Sequence, residues 1–128
     1  DYNALCDALA VDLNDIPGLR GHGEIPDKVS PPCAVVAIAE DGPAEDFEGD
    51  VTVSVHVLVI VSRADSRTAQ RKLNTFRSRG NAESVIDKLE ASSAADYVAW
   101  KGTDAPSKFD IGGVEYIGAE MTFEVAPA

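Results

Sequence analysis

The stretch VTVSVHVLVIVS, residues 51–62, decides how the rest of the chain is read. Val51, Val53, Val55, Val57, Val59 and Val61 occupy alternate positions, which puts all six on one side of an extended strand. The other side changes character: Thr52, Ser54 and His56 come first, then Leu58 and Ile60. One side therefore meets a core throughout. The second is expected to be solvated at its start and covered near its end.

Upstream, CAVVAIA (residues 33–39) reads as a buried strand. Between the two strands lies EDGPAEDFEGD, residues 40–50, in which six of eleven residues are acidic. So little apolar surface cannot order a segment, so a mobile acidic hairpin loop is expected there. Leu5, Ala8, Leu9, Leu13 and Ile16 recur at three- and four-residue steps, which predicts a helix over 2–16, ended by Pro17-Gly18. Residues 19–32 are broken by Gly21, Gly23, Pro26 and Pro31-Pro32 and read as irregular or briefly extended.

Downstream, residues 65–78 read as a second helix, with Asp65 or Ser66 as N-cap and Ala69, Leu73 and Phe76 as its apolar stripe. Gly80 breaks it, and Asn81 is the expected cap of a third helix reaching about Ala91. A strand is expected over 96–103, then a two-residue turn at Gly112-Gly113 and a last strand from Val114 to Val125. The order is α-β-β-α-α-β-β. It predicts one α+β domain over residues 1–128, with helices packed on a small, mostly antiparallel sheet.

Composition bounds the function. The 128 residues carry a net charge of −11 and are 45% hydrophobic. That suits a single folded domain and opposes a general binder of nucleic acid or anionic membrane, which needs a positive footprint. No apolar run approaches the roughly 18–20 residues of a membrane span. No basic-then-apolar leader is visible, and the absence of an initial Met leads us to expect residues upstream. Cys6 and Cys33 match no metal or redox spacing and are expected to be free, buried thiols.

Catalytic motifs are absent, and no cofactor or metal is expected. Gly21-His22-Gly23 is a lone Gly-x-Gly without a phosphate-loop lysine. Ser54 and His56 share a strand face and are chemically a nucleophile and a base, but such positions stand roughly 7 Å apart. A polar strand face explains them better. His22, His56, Cys6 and Cys33 fit no zinc pattern, and the acidic loop lacks the spacing of a calcium loop.

The charge is segregated. Residues 1–60 carry 12 acids and 2 bases, and residues 81–128 carry 9 acids and 3 bases. Residues 61–80 carry one acid, Asp65, and six bases: Arg63, Arg67, Arg71, Lys72, Arg77 and Arg79. Three readings of this stripe stay open. It is a solvated helix face with local ion pairs, a contact with an acidic surface of another protomer or partner, or a phosphate contact. The interface residues expected are Arg63, Arg67, Arg71, Lys72 and Arg77, with Glu40, Asp41, Glu45, Asp46, Glu48 and Asp50 in the acidic segment. The Ser62–Asp65 junction is expected to orient the basic helix.

Four stretches carry a family resemblance: IPGLRGHGEIPDKVSPPCAVV (16–36), VLVIVSRADSRTAQRKLNTF (57–76), SVIDKLEA (84–91) and FDIGGVEYIGAEMTFEVAP (109–127). In this order they resemble tail terminator proteins of long-tailed bacteriophages, especially those of actinobacterial phages. The resemblance implies the lambda tail-terminator fold and a hexameric ring that caps the tail tube and ends its polymerisation. It also implies contacts with the tail tube protein and with head-completion or stopper proteins, and a lumen through which genomic DNA passes unbound. The implied place is the virion neck, after assembly in the host bacterial cytoplasm. Another neck or tube protein, such as a stopper or a tube subunit, and a monomeric small-molecule or protein-binding domain are the alternatives.

Overall fold

The computed structural model describes residues 2–24, 26, 28–45, 51–63 and 69–127. The elements follow as α1 (Tyr2–Asn14), β1 (Arg20–His22), β2 (Cys33–Glu45), β3 (Val51–Arg63), α2 (Ala69–Arg77), α3 (Val85–Glu90), β4 (Ala95–Thr103), β5 (Ser107–Ile111) and β6 (Val114–Pro127). The protein is α+β, with three helices and one six-stranded sheet among the described residues.

The strand order is β1-β2-β3-β6-β4, and β5 pairs with β6 beside β4. All pairings are antiparallel except β1 with β2. β4 takes β6 from Met121 onward and β5 takes it up to Gly118. Between them the Asp104 N–H donates to the Glu120 carbonyl at 2.9 Å, so one edge of β6 is paired almost continuously.

The alternation of β3 sets the layers. Val53, Val55, Val57, Val59 and Val61 are buried, and the last four join Leu9, Leu13, Leu73, Phe76 and Leu89 from the three helices in the main core. β6 supplies Ala119, Met121, Phe123 and Val125 to the same core. The opposite sheet face holds a smaller apolar cluster of Cys33, Ile60 and Tyr116, with Val29, Leu58, Ile111 and Val114 against it. This face is covered toward the end of β3, as the sequence predicts. Its start differs: Thr52 is buried, while Ser54 and His56 are half-buried.

The segment read as irregular or briefly extended contains β1, a short parallel strand. Other expectations change: β5 is a further strand that weak patterning hid. Residues 40–45 continue β2 rather than looping: Pro43, Ala44 and Glu45 pair with Val53, Thr52 and Val51 beyond a bulge after Ile38. Backbone ladder pairing extends a strand whatever the side chains it carries. Residues 46–50 lie outside the described residues, as do Asp65 and Ser66, the expected caps of α2. The third helix starts later than expected. Its N-cap is Ser84, whose hydroxyl accepts from the Asp87 N–H at 3.1 Å. Asn81 instead closes the turn ahead of it, its Oδ1 accepting from the Glu83 N–H at 2.8 Å.

Gly112 and Gly113 have φ of 62° and 82° and form the tight turn between β5 and β6. Positive φ at both central residues suits the hairpin turn whose twist matches its strands.

Candidate functional site

The sequence points to the basic stripe first. Arg71 is exposed on α2 and pairs with no acid among the described residues. It lines a cleft of about 290 Å³ with Val61, Ser62, Ala69, Lys72 and Thr75, where the end of β3 meets α2. Lys72, Arg77 and Arg79 have local partners. Lys72 Nζ lies 3.0 Å from Glu83 Oε2 and 5.1 Å from the centre of the Phe76 ring. Arg77 Nε donates to Asn74 Oδ1 at 3.1 Å. Arg63 ends β3, opposite Tyr116 in the β3–β6 register, and Arg67 lies outside the described residues. Among the described side chains of the stripe, Lys72, Arg77 and Arg79 are tied within the chain and Arg71 is not.

The acidic half of the expected interface is placed only by its backbone. Glu40, Asp41 and Glu45 belong to β2, and Asp46, Glu48 and Asp50 lie outside the described residues.

Arg79, just past α2, is the most constrained cation. Its Nη1 and Nη2 grip Glu90 Oε1 at 2.5 Å and Oε2 at 3.1 Å, and its guanidinium lies 5.8 Å from the Trp100 ring centre. Glu90 Oε2 also accepts the Trp100 backbone N–H at 3.1 Å. The Arg79 hydrogen bonds, then the Trp100 N–H, hold the Glu90 carboxyl below the ordinary glutamate range. Sequence reasoning counted Arg79 as part of the stripe and missed that α3 and β4 converge on it. No local spacing signals such a contact.

On the face of the sheet away from the helices, His56 Nδ1 and Glu120 Oε1 stand 2.5 Å apart, both about one third exposed. Glu120 lies opposite Leu58, two residues along from Thr122, which faces His56. The polar partner of His56 is therefore on β6. No hydrogen bond joins it to Ser54, so a nucleophile–base pair is not assembled. Lys101 and Glu124 form a second cross-strand pair at 3.0 Å. Such pairs steady a solvent-facing sheet surface.

Gly21-His22-Gly23 has a packing role. A Cβ on Gly21 would stand 2.3 Å from the Ala10 carbonyl oxygen. One on Gly23 would press on the Asp7 carboxylate. The glycines let β1 approach α1 this closely. An open polar cleft of about 540 Å³ runs beside them, lined in part by Asp7, Asn14, His22 and Glu24.

Cys6 and Cys33 are buried and free, and burial pushes both thiols up. They are poor nucleophiles. Among the described residues no group of three or more His, Cys, Asp or Glu could hold a metal ion, and no helix is long and apolar enough to cross a membrane.

No protein-family model matches the sequence, and no curated protein matches it at a significant level.

Proposed function

We propose that the chain is a structural subunit of a bacteriophage tail, a tail terminator that assembles with its own copies into a ring closing the tail tube. The sequence resemblance is the ground for it. Its four stretches correspond to α1's exit with β1 and β2, to β3 with α2, to α3, and to β5 with β6. These are the framework of the fold, with helices on one face of a mostly antiparallel sheet, and the lambda-like topology belongs to this proposal.

The observation that carries a self-assembling reading is Arg71. It is an exposed cation beside a cleft, with no ion-pair partner among the described residues, on a chain whose other segments are strongly acidic. A ring is built from head-to-tail contacts in which two different surfaces meet, and segregated charge suits such contacts. The acidic remainder would repel phosphates and let DNA slide, since binding it tightly requires phosphate neutralisation.

The test is the mass of the chain alone and mixed with tail tubes, with its position in the mature particle imaged. Ring-sized species at the tube end are expected. A chain that stays monomeric in the particle would overturn the reading. The α1–β1 cleft favours the second reading, a small-molecule-binding domain, and saturable binding of a metabolite there would support it.

A further inference from the structure

Two outer strands of the sheet, β1 and β4, each carry a helix-borne side chain on the outward backbone. At β1 it is Asn14 of α1, whose amide bonds both Gly21 N and Gly21 O. At β4 it is Glu90 of α3, which accepts the Trp100 N–H. Unpaired strand edges invite pairing with other chains, and blocking outward N–H groups is one way to prevent it.

The β4 edge is the more inviting of the two. It is nine residues long against three for β1. It also carries two exposed aromatic residues, Tyr97 at 49% and Trp100 at 37%. In an antiparallel ladder alternate residues turn their N–H and C=O to the same side, so Val98 shares the outward direction of Trp100. Two copies of β4 set antiparallel about Ala99 are then self-complementary. Val98 of each meets Trp100 of the other as a hydrogen-bonded pair, apolar against apolar, with the small Ala99 side chains on the axis. Residues 97–100 pair with β6 without a bulge, so this stretch is regular enough to accept a strand.

We propose that Glu90 is an autoinhibitory cap on β4, and that its removal lets two copies of the chain pair β4 to β4. Arg79 positions the cap by gripping both carboxylate oxygens while lying near the Trp100 ring. The groups around the carboxylate are Arg79 and the Trp100 N–H, with Asp87 sharing Arg79 at 3.5 Å. The cap acts on the free chain and is independent of the tail reading, because a symmetric β4 pair is not a ring contact.

Glu90→Ala tests this by sedimentation, at concentrations where the wild-type chain is a monomer, together with amide exchange at Trp100. A concentration-dependent species of twice the monomer mass is expected. Exchange at Trp100 should be faster than wild type in dilute samples and slower as the dimer fills. Adding Val98→Pro, which removes an outward N–H that β6 does not use, should abolish the dimer. Glu90→Gln keeps an acceptor oxygen and should stay closer to wild type. A Glu90→Ala chain that remains monomeric at every concentration, a dimer indifferent to Val98→Pro, or species growing past twice the mass would each overturn the proposal.

Discussion

Asn14 holds Gly21 by both of its backbone polar groups: Oδ1 accepts from the Gly21 N–H at 3.0 Å and Nδ2 donates to the Gly21 carbonyl at 3.3 Å. The side-chain amide thus does for Gly21 what a neighbouring strand would do. Nδ2 also reaches the Ala10 carbonyl at 3.2 Å, so one residue ties the last turn of α1 to β1.

Asn14→Ala is expected to cost about 1 kcal/mol, since these bonds are exposed to competing water. Amide exchange at Gly21 should rise with little change at Val57 in the sheet centre. Equal increases at both positions would mean that Asn14 supports the whole fold rather than this edge.

Gly21→Ala should destabilise more than its size suggests, by about 1–3 kcal/mol, because its Cβ would meet the Ala10 carbonyl oxygen and α1 would have to move. Gly102→Ala is the control. Nothing lies within 4 Å of its added Cβ, and its effect should stay within about 0.5 kcal/mol. Denaturant unfolding of both variants reads the difference.

Ser84→Ala should cost about 1 kcal/mol by removing the cap of α3, because the hydroxyl accepts from the Asp87 N–H and is buried. Ser84→Asp, which keeps an acceptor, should recover part of the loss. Thermal unfolding of the pair separates lost capping from lost packing.

Glu90 gives the pH dependence a sign. Its carboxyl is held below the ordinary glutamate range, first by Arg79 and then by the Trp100 N–H. The stabilisation is therefore complete above the ordinary glutamate pKa and is lost as pH falls through the lower folded value. Glu90→Gln should flatten the acid side of the stability curve below about pH 4, modestly because the pair is exposed. A wild-type slope retained in the variant would assign the acid loss to other carboxylates.

Arg71→Glu should weaken self-assembly several-fold, and more at low salt, where screening is small. Lys72→Gln should do less to assembly, since Lys72 already has Glu83. Equal losses in light scattering for the two variants would return the stripe to a solvated face.

Alternation made β3 legible, because six valines at a period of two admit no other reading of 51–62. The glycine pair before β6 was equally plain, since only a turn with two positive φ values calls for it. β1 was not legible. It is three residues long, and its place depends on Asn14 and on the closeness that Gly21 allows, which only the folded chain brings about. The site followed the same division. Charge along the chain marked the basic stripe, but whether a cation is spent internally depends on acids 11 residues away, as with Lys72 to Glu83 and Arg79 to Glu90. His56 was noticed for the wrong neighbour, because its partner Glu120 is 64 residues distant.

β6 lies between β3 on one side and β4 with β5 on the other. During synthesis β3 therefore emerges with its β6 side bare, and fifty residues separate its end from the start of Val114–Pro127, which fills the gap. Until then its valine-rich surface and bare edge are a hazard for aggregation, and β4 and β5, which pair only with β6, have no place in the sheet. A chain stalled before residue 114 has no completed sheet to fall back on. It should be the species that chaperones or proteases meet first.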